Sequence, residues 1–179
     1  MYFIPEELDD YVVNHSEDEP ELLQQLSRET FQKILQPRML SGHYQGRLLS
    51  IISKLVNPKN ILEIGTYTGY SALCLAEGMQ SDGELHTIDI NEELVDFQRK
   101  YFNKSNFGNQ IFQHLGDALD IIPKLDKTFD LILYIVNIVL AALVVGVVVN
   151  YFLGLGRTIG MNGLKLFQGT TWFEFTTAF

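Results

Sequence analysis

Glu63, Gly65 and Gly69 share one short run, Ile61-Leu62-Glu63-Ile64-Gly65-Thr66-Tyr67-Thr68-Gly69-Tyr70-Ser71. Glycines in such a loop let backbone approach a ligand where a side chain would clash. A dinucleotide fingerprint would read G-x-G-x-x-G and aim a helix start at a pyrophosphate. Here the order is E-x-G-x-x-x-G. A carboxylate on the lip of the loop repels a diphosphate and suits a ligand that carries positive charge. S-adenosylmethionine, with its sulfonium and ammonium groups, is such a ligand, so the pattern favours a methyl donor over NAD. About 20 residues further on, Leu85-His86-Thr87-Ile88-Asp89 ends in an acid where a ribose hydroxyl pair would be held.

These residues need a scaffold that brings a strand, a glycine turn and a helix to one crevice. Asn60–Ile64 is too short and too apolar for a helix and reads as a buried parallel strand. Ser71-Ala72-Leu73-Cys74-Leu75-Ala76-Glu77 is a good helix former whose start faces the same crevice. Further strands fit 85–89, 111–115 and 129 to about 136, with helices between them. Asn91 is a helix cap, with Glu92 and Glu93 in the first turn and Leu94, Phe97 and Tyr101 facing inward. A short helix over 118–126 contains Pro123 and is expected to bend or break there.

Before the first strand, 5–15 and 20–36 read as helices that start beside Pro5 and Pro20, the second with a stripe from Leu22 and Leu26 to Phe31 and Leu35. Residues 43–56 form a helix with Leu48, Leu49, Ile52, Leu55 and Val56 at core spacing, ended by Asn57-Pro58. The strand-then-helix alternation predicts an α/β fold: a Rossmann-like, mostly parallel, doubly wound sheet with N-terminal helices.

The 179-residue chain carries a net charge of −9, which argues against nucleic acid or an anionic membrane surface as partner. One cysteine, Cys74, forms no internal disulfide and reads as a buried structural thiol. The acidic N-terminus lacks a basic leader, so the expected location is cytoplasmic. His15, His43, His86 and His114 are scattered singly without metal-ligand spacing.

Ile61 to Ser71, Leu85 to Asn91 and Gly116-Asp117-Ala118-Leu119 together resemble the metal-dependent class I O-methyltransferases of the catechol and caffeoyl-CoA type. Arg38-Met39-Leu40-Ser41-Gly42 is similar to the segment that covers the donor in that family. The resemblance spans about 1–133 and implies transfer of a methyl group to a hydroxyl of a small, aromatic acceptor. It implies S-adenosylmethionine as cofactor, a divalent cation such as magnesium, and N-terminal helices that cap the site and help form a homodimer. Carried over by position, Ser41 lies near the methionine end of the donor and Glu63 meets its ammonium region. Gly65, Thr66, Tyr67 and Gly69 line the loop, and Ser71 caps the helix beside the donor carboxylate. Asp89 takes the ribose hydroxyls, and Asp117 with Ala118 flanks the adenine.

The likeness stops after the fourth strand. Where the family reads I-D-A-D-K, this chain reads Tyr134-Ile135-Val136-Asn137-Ile138, which puts isoleucines at the first metal aspartate and the catalytic lysine. No aspartate follows Asp130, so no metal ligand and no catalytic residue is assigned. Leu131 to Gly156 is a run of 26 residues without a formal charge, long enough for a membrane span. The sheet claims its first residues, however, and Asn137, Gly146, Asn150 and Gly154 interrupt the rest. The expectation is a methyltransferase-like domain over 1–133, followed by an atypical apolar tail over 134–179. That tail either completes the sheet with a hairpin near 164–175, or is foreign to it, or crosses a membrane through 137–156. A non-catalytic donor-binding remnant is the alternative to an enzyme.

Overall fold

The computed structural model describes residues 5–134. The tail readings, with Ile135 and Ile138, lie outside these residues. Six helices and four strands follow in order: α1 Glu6–Asn14, α2 Glu21–Lys33, α3 Gly42–Val56, β1 Asn60–Ile64, α4 Tyr70–Ala76, β2 Glu84–Asp89, α5 Val95–Lys104, β3 Ile111–Leu115, α6 Ala118–Leu125 and β4 Leu131–Tyr134. All strand pairs are parallel and the order is β3-β2-β1-β4. The chain builds outward from β1 to β3 and then returns past β1 to lay down β4. That reversal beside β1 opens a crevice at the carboxyl ends of the strands, where the loop of residues 65–69 sits.

The register sorts the side chains by face. Ile61, Leu85, Ile111 and Leu131 align across the sheet, as do Glu63, Thr87, Gln113 and Leu133. This face carries α4 and α5, with Tyr70, Leu73, Tyr101 and Phe102 in the same buried cluster as Ile61, Leu85 and Ile111. On the other face, Phe112, Ile132 and Tyr134 are exposed among the described residues. No helix among the described residues is long and apolar enough to cross a membrane.

The core face of α3 differs from the expected one. Leu49 is buried, but Leu48, Ile52, Leu55 and Val56 are exposed, Leu55 at 81%. The helix instead buries Gly46, Arg47, Leu49, Ser50 and Ser53. Small residues win because α3 and α4 pack almost backbone to backbone. A Cβ on Gly46 would lie 2.6 Å from the Tyr70 ring, and Ser53 Oγ donates to the Leu75 carbonyl at 2.6 Å. Arg47 is admitted because Glu77 accepts from both its terminal nitrogens, at 3.0 and 2.7 Å, and Ser50 Oγ donates to the same carboxylate. Similarly, the α2 stripe ends early: Leu23, Leu26 and Thr30 are buried, while Phe31 and Leu35 are exposed. The helix stops at Lys33 rather than 36, and a strap over 34–41 with a 3-10 turn at Pro37–Met39 leads to α3.

Among the described residues the helices and strands between α4 and Tyr134 fall where they are expected. Asn91 accepts from the Glu93 amide and caps the turn before α5, and Leu94 and Tyr101 are buried. The helix α6 is not broken at Pro123. In so short a helix the proline removes only the bond its N–H would have made to Leu119.

Candidate functional site

Two cavities meet at the carboxyl ends of β1 and β2. The larger, about 700 Å³, lies between the loop residues Gly65 to Thr68, the first residues of α4 (Tyr70 and Ser71) and the strap. The smaller, about 170 Å³, has walls from Ile64, Ile88, Ile90, Gly116 and Ala118. Gly65 and Asp89 line both. Together they fall in the size range of small-molecule sites and have their character, apolar walls with a few directed polar groups.

Asp89 ends β2 at the junction of the two cavities. Its Oδ2 accepts from the Tyr67 amide at 2.7 Å and its Oδ1 from the Asn91 amide at 2.9 Å. A carboxylate has about four lone-pair sites, so each oxygen keeps one for a ligand hydroxyl. Tyr67, at φ 49°, is a non-glycine residue in the left-handed region. Its amide is held by Asp89 and its carbonyl accepts from Gln98 Nε2 at 2.7 Å, so two elements fix the strained conformation. Gly69, at φ 87°, lets the chain turn into α4 and lies against Phe102, which a Cβ would meet at 2.6 Å.

Glu63 is not on the lip of the crevice. It is fully buried, on the sheet face under α4, and does not line either cavity. Strand alternation sets it there, on the side of Ile61. Its Oε1 accepts from Ser71 Oγ at 2.5 Å and its Oε2 from Thr87 Oγ1 at 2.6 Å. Since the Thr87 hydrogen points at Glu63, the 2.6 Å contact between Thr66 and Thr87 is donated by Thr66. Two hydroxyls of the larger cavity, Thr66 and Ser71, therefore lead back to one carboxylate. Glu63 thus reaches the larger cavity only through these hydroxyls, not with its own carboxylate. With its hydrogen committed to Glu63, the Ser71 oxygen turns an acceptor toward the cavity.

Burial pushes the Glu63 carboxyl up to about 7; the hydrogen bonds from Ser71 and Thr87 oppose the shift, and the Asp89 charge adds to it. A carboxyl raised on folding stabilises fully below its unfolded pKa, and that contribution is lost as pH rises through the folded value. The melting temperature should therefore fall by several degrees between about pH 5 and about pH 8. Glu63→Gln, whose amide can keep both hydroxyl partners, should lack that part of the fall. Parallel melting curves of the two proteins across this range check it; identical pH dependence would remove the linkage.

Of the other predicted positions, Ser41, Thr66, Tyr67 and Ser71 line the larger cavity and Ala118 the smaller. Gly69 is buried behind the loop, and Asp117 is exposed, its Oδ1 capping α6 by accepting from the Leu119 amide at 2.8 Å. Thr87, Gln98 and the strap residues Ile34 to Gln36 were not foreseen as parts of the site. Thr87 could have been found from alternation along β2, whereas Gln98 and the strap reach the loop only through the tertiary fold. The histidines are not all isolated: His86 Nδ1 and His114 Nε2 lie 2.9 Å apart on neighbouring strands. No group of three metal-ligating side chains forms among the described residues.

The O-methyltransferase family model matches residues 13–137. The chain belongs to the O-methyltransferase family. Caffeoyl-CoA O-methyltransferase from Pinus taeda is 35% identical over 113 residues, which are 63% of this chain and 43% of the relative. The chain thus spans under half the length of that curated relative. The SAH-bound methyltransferase PaMTH1 of Podospora anserina superposes with a TM-score of 0.68 at 28% identity, covering 76% of this chain and 61% of that one. The O-methyltransferase TomG from Streptomyces achromogenes, in complex with SAM, gives 0.67 at 30% identity, covering 73% and 60%. The fold is the Rossmann-like one of these methyltransferases.

Proposed function

We propose that this chain binds S-adenosylmethionine across the two cavities and transfers its methyl group to a hydroxyl of a small aromatic acceptor. The observation that carries the reading is the placing of Asp89 and Gly65 between a small slot walled by Ile64, Ile88 and Ala118 and a larger cavity that carries the hydroxyls of Ser41, Thr66 and Ser71. Adenine fits the slot walled by Ile64, Ile88 and Ala118, and the ribose hydroxyls fit the free lone pairs of Asp89. The methionine end then points into the larger cavity, where Thr66 and Ser71 offer acceptor oxygens and Ser41 a hydroxyl. Thr68, wholly buried beside that cavity, has a hydroxyl without a partner among the described residues. Cys74 is buried, which raises its thiol to about 12 and keeps it out of the chemistry.

Methyl transfer forms an oxygen–carbon bond as the sulfur–carbon bond breaks; the sulfur keeps the bonding pair and the donor leaves as the neutral thioether, and the acceptor's hydroxyl proton goes to water. Most of the work of such a site is orientation of the two reactants, which the loop and Asp89 supply on the donor side. The family's cation would lower the acceptor pKa. A hard cation needs several oxygen ligands. This chain has Ile135 and Ile138 at two family positions and no aspartate beyond Asp130, so its residues do not fit that ion. The same isoleucines favour a second reading, a module that holds the donor without turning it over.

Incubation of the full chain with methyl-labelled donor, catechol and magnesium separates the two. Labelled methyl ether confirms the transferase, whereas donor binding without product supports the holding module.

A further inference from the structure

The strap of residues 34–41 forms the wall of the larger cavity opposite the glycine loop, through Ile34, Leu35, Gln36, Met39, Leu40 and Ser41. Leu40 packs against the core at the strap's far end, but the strap's middle has little packing. Leu35 and Met39 are 86% and 60% exposed, and Gln36 sits at φ 57° in the left-handed region. Its backbone bonds are local: Met39 N–H to the Gln36 carbonyl at 3.0 Å and Leu40 N–H to the Pro37 carbonyl at 3.1 Å. One side chain crosses from the loop. The Tyr67 hydroxyl donates to the carbonyls of Leu35 and Gln36, at 3.3 and 3.1 Å, and among the described residues these are the hydrogen bonds between strap and loop.

The two ends of this contact differ in rigidity. Tyr67 is fixed by Asp89 and Gln98, the first at the end of β2 and the second on α5. The carbonyls it reaches belong to a segment with few buried atoms, the kind that opens at low cost. A three-centre hydrogen bond from a rigid donor to a soft strap acts as a latch. Burial raises the phenol above its ordinary pKa, so it stays a donor across the neutral range.

We propose that Tyr67 is a positioning residue whose phenol latches the 34–41 strap against the glycine loop, and that this latch sets how long a bound methyl donor stays in the cavity. The inference rests on the donor-site reading above. Because Asp89 holds the amide of the same residue, a ribose on Asp89 and the strap over the cavity are tied through one tyrosine. Closing of the strap and filling of the site therefore favour each other, since a ligand that touches the closed wall binds that state better.

Tyr67→Phe removes one oxygen and leaves the ring, the backbone angle and the bonds to Asp89 and Gln98 in place. Loss of a net hydrogen bond predicts an effect of about fivefold. In hydrogen exchange on the free protein, the Met39 and Leu40 amides should exchange about fivefold faster in the variant, with β1 and β2 unchanged. In stopped-flow displacement of S-adenosylhomocysteine, its dissociation rate should rise by a similar factor, with association changed less than about twofold. A purely structural role would lower the melting temperature and speed exchange throughout. Equal strap exchange in the two proteins overturns the latch whether or not ligand binds. Faster strap exchange with unchanged dissociation overturns its link to residence time. Failure of the wild type to bind S-adenosylhomocysteine overturns the donor-site reading, and the exchange result still judges the latch alone.

Discussion

Asp89→Ala should weaken binding of S-adenosylhomocysteine by about 100-fold, a loss of roughly 3 kcal/mol. Hydrogen bonds to a charged group each contribute about 1.5–3 kcal/mol, and the ribose offers two hydroxyls to one carboxylate. Part of the loss comes from the protein itself. The same carboxylate accepts from the amides of Tyr67 and Asn91, so its removal frees the loop before the donor arrives. Asp89→Asn keeps one oxygen acceptor and should lie between, with a loss of about tenfold. Equilibrium dialysis with labelled ligand measures all three proteins. Equal affinity for wild type and Asp89→Ala would place the ribose elsewhere.

Gly78→Ala should destabilise the fold by about 3 kcal/mol, the upper part of the overpacking range, and lower the melting temperature by about 10 °C. A Cβ at this position would lie 2.2 Å from the Lys54 backbone nitrogen and 2.2 Å from the Ser53 carbonyl carbon. These are main-chain atoms of α3, which cannot swing aside as a side chain would. Moving them also strains the Arg47–Glu77 and Ser50–Glu77 pairs and the Ser53 bond to Leu75, which link α3 to α4 and its C-cap. Gly42→Ala makes a useful control, because its Cβ meets nothing within 4 Å and its cost comes from the φ of 73° alone. Urea unfolding of the two variants tests the contrast. A smaller loss in Gly78→Ala than in Gly42→Ala would show that the two helices are not in tight contact.

The sheet was legible in the sequence because β1, β2 and β3 are short apolar runs bounded by turn residues and set between amphipathic helices. The glycine loop, Asp89 and the cap at Asn91 were legible for the same local reason. Depth was harder to read. Glu63 precedes the loop and suggests a carboxylate on its lip, yet the two-residue period of β1 turns it toward α4. The core face of α3 was misread because apolar spacing marks Leu48, Ile52 and Leu55, while close helix packing selects Gly46, Ser50 and Ser53. A buried Arg47 cannot be anticipated without its partner, Glu77, which lies 30 residues away. The Tyr67 contact to the strap likewise depends on a fold that brings residues more than 30 apart together.

Calorimetric titration of the full chain with S-adenosylhomocysteine, repeated in the presence of NAD, tests the central reading most directly. The geometry at Asp89 and Gly65 predicts saturable binding at one equivalent per chain, unaffected by the dinucleotide. Absence of heat with S-adenosylhomocysteine, or its displacement by NAD, would contradict a crevice made for a methyl donor.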